Sequence, residues 1–260
     1  MARKPIDALR ERRWQFQRDH PPRCPAGWSI GPPDFVGVGT YKSGTSWWYQ
    51  LITRHPDVAT RGHPKELDHF RGADDVRDDR VASYPRWFPR PAGKRTGEWS
   101  SRYADVLAIP ERLAEAAPSA RLLMILRDPI ERYQSDVTML RRLGVSQPEQ
   151  AALARGSYRV QIENLLRWYP PAQVLFLQFE RCVAEPKQEL ARTYRHLGLD
   201  DAYVPRFVEL AKNATKEQKV VVETSQREAL IAQLQSDRAA LLERVPQLDL
   251  ALWPTAREQP

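Results

Sequence analysis

The sequence predicts an α/β fold in which a central parallel sheet is covered by helices on both faces. Three apolar runs, at residues 35–38, 121–126 and 174–179, have the length of strands, and a segment of helical pattern follows each of them. Continuous apolar runs are typical of parallel strands buried on both faces, and strands that alternate with helices build such a sheet. A chain of 260 residues is long enough for one large domain of this class.

Capping and turn residues set the expected bounds of the helices. Asp128 and Pro129 are typical of an N-cap followed by the first helical residue, and Gly144 and Gly198 are placed to end helices. A short strand is expected at residues 57–60. Helices are expected near residues 45–54, 111–117, 128–142, 148–154, 157–168, 185–196 and 225–244.

The remaining segments define the domain organisation. Residues 1–33 are basic and carry five prolines between positions 21 and 33, which predicts an N-terminal lead-in without regular structure. Residues 34–260 are expected to form a single domain. Residues 61–97 are irregular and too long for an inert connection, which indicates a functional excursion from the domain.

Composition and charge exclude several classes of protein. Hydrophobic residues make up 42% and charged residues 28% of the chain, and the formal net charge is +7. A basic chain suits an acidic ligand, and nucleic acid is not expected as a partner because there is no long Lys/Arg tail. Cys24 and Cys182 are far apart, which argues against a metal framework or a disulfide scaffold.

Neither a membrane span nor a leader is expected. No apolar run approaches the roughly 20 residues that a spanning helix needs. The first residues, MARKP, lack the apolar stretch of a signal peptide. We therefore expect a cytoplasmic protein without stable membrane insertion.

The strongest motif is the loop GTYKSGTSWW at residues 39–48, between the first predicted strand and helix. Glycines, a lysine and the N–H groups of a helix start form a cradle for a phosphate. The motif G-x-x-x-x-G-K-[ST] does not fit, because Thr45 stands where its lysine should be, and G-x-G-x-x-G fails at Lys42. The residues expected to hold the anion are Lys42, Ser43, Gly44, Thr45 and Ser46.

This loop is similar to the 5′-phosphosulfate loop of sulfotransferases that use 3′-phosphoadenosine 5′-phosphosulfate (PAPS). A second segment, LRDPIERYQS at residues 126–135, resembles the 3′-phosphate motif of the same family, with Arg127 and Ser135 at the matching positions. Arg127 also follows a predicted strand directly, at the sheet edge where α/β proteins bind ligands. The resemblance covers residues 34–253 and implies a P-loop-like three-layer α/β/α fold.

The segment KELDHF at residues 65–70 supplies the catalytic candidates. It resembles a K-E-x-x-x-F segment in the branch of the family that sulfates heparan-type glycans, where the glutamate is the base. The resemblance implies that Glu66 accepts the acceptor's proton and that Lys42 and Lys65 stabilise charge on the leaving phosphate. His63 and His69 are rival bases, since the small-molecule branch uses histidine.

Other positions are candidates for binding. Residues 97–103 resemble the G-E-x-S-x-x-Y segment near the acceptor cleft, so Glu98 and Ser100 are candidate substrate contacts, although a buried turn explains the segment nearly as well. Tyr158 is expected to flank the nucleotide. Trp47 and Trp48 are adjacent on the first helix, so one of them, with Trp47 as the candidate, could stack on the adenine while the other packs inside. The family's K-G-R loop is missing from residues 211–219, where Lys216 or Lys219 would take its place.

Together these resemblances imply sulfuryl transfer from PAPS to a hydroxyl or amine, leaving adenosine 3′,5′-bisphosphate (PAP) and requiring no metal. A glycan, glycoside, lipid or small metabolite would be the acceptor. The alternatives are a P-loop nucleotide kinase or ATPase and, less in keeping with the motifs, a non-enzymatic polyanion-binding protein. The sequence leaves the identity of the acceptor and the oligomeric state open.

Overall fold

The computed structural model describes residues 20–59, 65–70, 78–145, 149–206, 208 and 219–257. The strands among them are β1 Ser29–Ile30, β2 Phe35–Gly39, β3 Pro89–Arg90, β4 Gly97–Trp99, β5 Arg121–Leu126 and β6 Val174–Gln178. The helices are α1 Thr45–Ile52, α2 Asp78–Ser83, α3 Ile109–Ala116, α4 Pro129–Leu143, α5 Glu149–Ala154, α6 Tyr158–Trp168, α7 Phe179–Ala184, α8 Pro186–Leu197 and α9 Thr224–Arg244. Short 3₁₀ turns lie at Tyr84–Trp87, Pro171–Gln173, Leu250–Leu252 and Pro254–Arg257.

The central sheet has four parallel strands in the order β4-β2-β5-β6. The strand β2, which leads into the phosphate loop, therefore lies inside the sheet, between β4 and β5. Gly37 of β2 leaves room for the Trp99 ring of β4, since a Cβ atom there would lie 1.9 Å from Trp99 Cδ2. The predicted parallel sheet is confirmed.

The side chains of each strand alternate between two separate core clusters, one on each face of the sheet. Val36, Met124 and Phe176 join a cluster that includes residues of α3, α6 and α9. Phe35 and Leu123 join a cluster that includes residues of α1 and α8. Helices thus cover both faces, which confirms the three-layer α/β/α architecture.

Several local features differ from the sequence-based expectation. The three-residue strand β4 extends the sheet at a position where no strand was expected, and at residues 57–59 the structure has a single bridge, Val58 to Arg95, instead of a strand. Within the expected lead-in, β1 pairs with β3 in a small antiparallel sheet. Two paired residues are too few to leave a sequence pattern. The division at residue 33 stays a prediction.

The helix bounds agree with those expected to within a few residues, and caps explain them. Asp128 accepts hydrogen bonds from the N–H groups of Ile130 and Glu131 at the start of α4. Gly144 and Gly198 adopt left-handed conformations after α4 and α8. In the part of the chain that the structure describes, no helix combines the length and apolar character needed to cross a membrane.

Candidate functional site

The candidate site lies at the carboxyl end of β2, where residues 40–44 lead into α1. Thr40 ties this loop to the neighbouring strand, because its N–H and its hydroxyl both donate to the Ile125 carbonyl, at 3.0 and 2.7 Å. The hydroxyls of Thr40 and Ser43 lie 2.5 Å apart and are buried. Ser43 therefore fixes the shape of the loop with its side chain.

Lys42 and Gly44 bend the loop by adopting positive φ angles of 68° and 80°. Gly44 precedes the first turn of α1, and a Cβ atom there would lie 2.7 Å from the Phe179 ring. Both the backbone angle and the lack of space require glycine. Thr45 and Ser46 form the first turn, whose N–H groups have no partner within the helix and can receive an anion.

The Lys42 ammonium lies beside this turn with a weak partner. Its Nζ is 3.0 Å from the Met139 sulfur, to which the Tyr41 hydroxyl also points at 3.7 Å. A thioether is a poor acceptor for an ammonium. Burial lowers the pKa of Lys42, and the positive charges of Arg127 and Lys65 act in the same direction.

Arg127 is joined to the loop directly. Its Nη1 donates to the Lys42 carbonyl oxygen at 3.1 Å, and its Nη2 pairs with Glu131 at 3.1 Å. The guanidinium carbon lies 4.7 Å from the centre of the Phe179 ring. Among the described residues, the buried Arg127 Nε has no hydrogen-bond partner. The two predicted phosphate motifs therefore meet, and the arginine keeps an unused donor.

Buried residues hold Arg127 from behind. The Tyr158 hydroxyl donates to the Arg127 carbonyl at 2.7 Å, and burial raises the pKa of this phenol to about 12. Tyr158 is 1% exposed, so its role in the structure is to fix the arginine, and the nucleotide contact stays a prediction. The next residue, Asp128, accepts the Thr255 N–H at 2.9 Å and the Thr255 hydroxyl at 2.6 Å.

The rest of the expected 3′-phosphate site lies along α4. Ser135 is half-buried and lies one turn after Glu131, which places both on one side of the helix. Lys216 lies outside the described residues. Lys219 is described, and its ammonium contacts Glu131, which also pairs with Arg127. Of the two lysines, Lys219 is thus seen beside the second motif.

The segment that carries Glu66 is held against residues 99–101. Glu66 has a φ of 60°, and its N–H donates to the Trp99 carbonyl at 2.9 Å. Its carboxylate accepts the Ser101 N–H at 2.8 Å and the Ser101 hydroxyl at 3.0 Å, and it forms an ion pair with Lys65. The Glu66 side chain is 32% exposed, so the carboxylate is both fixed and accessible.

Glu98 and Ser100 lie below the surface. Glu98 is fully buried and accepts the hydroxyls of Tyr84, Tyr103 and Ser100 at 2.6, 3.0 and 2.5 Å. Burial raises the pKa of Glu98 to about 7, although these hydroxyl donors lower it. The structure thus corresponds to the buried turn that was the alternative explanation, and it gives neither residue an exposed surface for a substrate.

The rival bases differ in position. His69 is 8% exposed, its Nε2 is 2.8 Å from the Arg80 carbonyl, and its ring contacts Phe70, Tyr84 and Trp87. It is a core residue in this structure. His63 lies outside the described residues.

Trp47 also belongs to the core. Trp47 and Trp48 are 6% and 0% exposed and lie in one cluster, with ring centres 5.2 Å apart. The Trp48 ring N–H donates to Thr193, whereas the Trp47 ring N–H has no partner among the described residues. The stacking of an adenine on Trp47 stays a prediction that this burial does not favour.

Charged groups of the second and third predicted segments act electrostatically on the loop. The pKa of Lys42 responds to Arg127 and to Lys65, which come from the second and third segments. Burial raises the pKa of Tyr41, and the negative charges of Asp136 and Glu66 add to this shift.

Three further residues of the site were not expected from the sequence. They are Ser101, which binds the Glu66 carboxylate, Phe179, which contacts Gly44 and Arg127, and Met139, which contacts Lys42. Of the three, Phe179 could have been identified from the sequence, because it ends the predicted strand at residues 174–179, at the ligand-binding edge of the sheet. In the described ranges no three His, Cys, Asp or Glu side chains are grouped as metal ligands.

Comparisons with known proteins agree with this geometry. The family model for the sulfotransferase domain matches residues 32–239. Human heparan sulfate glucosamine 3-O-sulfotransferase 3B1 is 29% identical over 185 residues, which cover 64% of this chain and 46% of that protein. The human bifunctional heparan sulfate N-deacetylase/N-sulfotransferase 3 is 25% identical over 194 residues, 64% of this chain and 22% of that protein.

Solved structures show the same fold. A sulfotransferase from Alicyclobacillus acidocaldarius superposes with a TM-score of 0.67 at 23% identity, covering 86% of this chain and 99% of that one. The sulfotransferase STF9 from Mycobacterium avium gives a TM-score of 0.52 at 12% identity, covering 93% and 81%. The chain spans about half the length of the curated 3-O-sulfotransferases that it matches. On the match of the family model to most of its length, the chain belongs to the sulfotransferase family of enzymes.

Proposed function

We propose that this chain transfers a sulfuryl group from PAPS to a hydroxyl or amine of an acceptor. The observation that carries the proposal is the hydrogen bond from Arg127 to the Lys42 carbonyl, which brings two predicted phosphate motifs to one sheet edge. The unused Arg127 Nε and the Lys42 ammonium, held by a sulfur atom, are donors suited to an anionic nucleotide.

The residues divide between the two ends of the donor nucleotide. Lys42, the loop N–H groups and the first turn of α1 would bind the 5′-phosphosulfate. Arg127 and Ser135 would bind the 3′-phosphate, with Lys219 beside them. A nucleotide without a 3′-phosphate would leave the Arg127 Nε without a partner, which gives a basis for choosing PAPS over ATP.

The proposed reaction is a direct displacement at sulfur. PAPS supplies the sulfuryl group, the acceptor oxygen or nitrogen forms a bond to sulfur, and the sulfur–oxygen bond to the 5′-phosphate breaks. The acceptor's proton goes to the Glu66 carboxylate, while Lys42 stabilises the negative charge left on PAP. A carboxylate offers about four lone-pair sites, so Ser101 and Lys65 leave capacity for the acceptor.

A sugar hydroxyl is the acceptor that we favour. The matching relatives are named as sulfotransferases of heparan sulfate glucosamine, and the segments at residues 65–70 and 97–103 resemble that branch. A glycoside, lipid or small metabolite with a free hydroxyl or amine stays in the proposal. An acceptor screen with isotopically labelled PAPS, measured by the mass gain of each product, would identify it.

Nucleotide titration tests the donor. Calorimetry should show PAP binding more tightly than AMP, ADP or ATP, and transfer from PAPS should be unchanged by EDTA. A preference for ATP with Mg²⁺, or a requirement for a divalent ion, would favour the kinase or ATPase alternative. Binding of PAP without transfer to any acceptor, combined with steep salt-dependent binding of polyanions, would favour a non-enzymatic binding protein.

A further inference from the structure

We propose that Tyr103 is a positioning residue for the segment that carries Glu66, and that Glu98 orients the Tyr103 hydroxyl for this role. The inference rests on the proposed function, because it concerns the placement of the proposed base. It assigns residues 97–103 to the support of the base instead of to contact with the acceptor.

The backbone of residues 66–68 depends on contacts with neighbouring residues for its conformation. Glu66 and Asp68 adopt φ angles of 60° and 45°, in the left-handed region that residues with a Cβ atom seldom occupy. Such conformations persist where surrounding contacts determine them. The contacts around residues 66–70 therefore decide where the Glu66 carboxylate lies.

Those contacts come from one short stretch of chain. The Glu66 N–H donates to the Trp99 carbonyl at 2.9 Å, and the Asp68 N–H donates to the Ser100 hydroxyl at 2.9 Å. The His69 N–H donates to the Tyr103 hydroxyl at 2.8 Å. Two of these three acceptors are side-chain hydroxyls, which could also turn their protons toward the backbone and lose the bond.

Glu98 removes that freedom. Burial raises the pKa of Glu98 to about 7, so above this pH it is a carboxylate that can only accept. It then takes the protons of Tyr103 at 3.0 Å and of Ser100 at 2.5 Å. With their protons directed at Glu98, both hydroxyls present lone pairs to the N–H groups of residues 68 and 69. All three side chains are at most 1% exposed, so water does not compete. Glu98 thus sets the direction of the hydrogen bonds that hold residues 68 and 69.

Tyr84 provides a control that distinguishes a positioning role of Tyr103 from simple core packing. The Tyr84 hydroxyl donates to the same Glu98 oxygen at 2.6 Å and is equally buried. In the described part of the chain it makes no hydrogen bond to the backbone of residues 66–70. Tyr84→Phe and Tyr103→Phe each remove one hydroxyl from Glu98, but only Tyr103→Phe also removes the acceptor of the His69 N–H.

The test compares these two variants in the full-length chain. Tyr103→Phe should lower kcat by ~10–10²-fold, the scale of a misplaced catalytic group, and should speed hydrogen exchange of the His69 and Phe70 amides. The affinity for PAP and the KM for PAPS should stay unchanged. Tyr84→Phe should keep kcat and the exchange of these amides near the wild-type values, while its unfolding midpoint shifts by a similar amount.

The outcomes separate the two proposals. Absence of transfer from PAPS by the wild-type chain would overturn the proposed function. Normal wild-type transfer with equal kcat in both tyrosine variants would overturn the positioning role alone. If Tyr103→Phe does not fold, Ser100→Ala serves instead, since it removes the acceptor of the Asp68 N–H, and unchanged kcat there would count against the proposal.

Discussion

The two halves of the candidate site differ in how completely their polar groups are used. At the phosphate loop, the Lys42 ammonium rests on a sulfur atom, and the buried Arg127 Nε has no partner among the described residues. Around the proposed base, Glu66 accepts from Ser101 twice and pairs with Lys65, and Glu98 accepts three hydroxyls. The phosphate half therefore has donors with weak partners or none, whereas the acceptors of the half around Glu66 and Glu98 are nearly all used.

Each half is suited to a different task. Unused buried donors cost stability until a partner arrives, so the phosphate half is suited to receive an anionic ligand. A saturated network holds its members in one geometry, so the other half is suited to keep a catalytic group in place. Changes in the phosphate half should therefore alter nucleotide affinity, and at Lys42 the rate as well, whereas changes in the base half should alter rate or stability but not nucleotide affinity.

The largest effect should come from Glu66→Gln. This change keeps the size of the side chain but removes the base, so kcat should fall by ~10²–10⁴-fold, while PAP affinity stays nearly constant. Steady-state kinetics with PAPS and the best acceptor from the screen, together with calorimetry, would measure both. Glu115→Gln, which neutralises an exposed carboxylate paired with Arg112, serves as the control.

A different outcome would assign the role of catalytic base to another residue. Near-normal kcat in Glu66→Gln, together with loss of activity in His63→Ala or His69→Ala, would assign the proton to a histidine. The contrast between a rate half and an affinity half would then no longer rest on Glu66.

The next effect concerns the stability of the saturated half. Burial raises the pKa of Glu98 from 4.5 to about 7, so between these values the folded chain binds more protons than the unfolded chain. The free energy of unfolding should therefore fall as pH rises through this window, by on the order of 3 kcal/mol for this group. The difference between the wild type and Glu98→Gln, measured by denaturant unfolding from pH 4.5 to 8, isolates it. A difference independent of pH would contradict the prediction.

The phosphate half is tested by Lys42→Ala and Arg127→Ala. Each should weaken PAP binding by about 1.5–3 kcal/mol, the value of a hydrogen bond to a charged group. Calorimetry with PAP and AMP should show that Arg127→Ala loses the preference for PAP, while Lys42→Ala weakens both nucleotides. Arg159→Ala is the control, because Arg159 forms ion pairs with Glu163 on α6 and Asp237 on α9 and none with the loop or with Arg127 among the described residues. Unchanged affinity in both variants would remove the phosphate site from this edge.

The smallest effect should come from Glu131→Gln and should have the opposite sign. Glu131 pairs with both Arg127 and Lys219, so an incoming 3′-phosphate would compete with it. Removing the competing charge should tighten PAP binding by about 0.2–1 kcal/mol, the usual range for an exposed pair, and the gain should shrink at high salt. Glu163→Gln, which breaks an exposed ion pair to Arg159, is the matched control. Weaker PAP binding in Glu131→Gln would instead make Glu131 a residue that orients the arginine.

Some elements of the fold could be predicted from local sequence patterns, and others could not. The strands β2, β5 and β6 are continuous apolar runs, and capping residues bound α4 and α8, so local patterns sufficed for them. The strand β4 was not predicted, because it has only three residues and one of them is Glu98. A charged residue in a buried strand makes sense only with the hydroxyls that surround it.

The same distinction holds within the site. The loop and the Arg127 motif are each a short continuous stretch of chain, so both could be recognised in the sequence. The support of Glu66 joins residues 35 positions apart, Glu66 and Ser101, and no periodicity or spacing encodes that contact. The sequence therefore identified the groups proposed to meet the ligand, but not the groups that hold them.

The contact between Asp128 and Thr255 has a consequence for synthesis on the ribosome. These residues are 127 positions apart, and Thr255 donates both its N–H and its hydroxyl to the carboxylate that caps α4. Domains form as units while the chain emerges, and late contacts must wait for their residues. The arginine next to Asp128 thus gains its full support only when residue 255 has left the exit tunnel. We infer that a nascent chain lacking this residue should bind nucleotide less tightly than the finished protein.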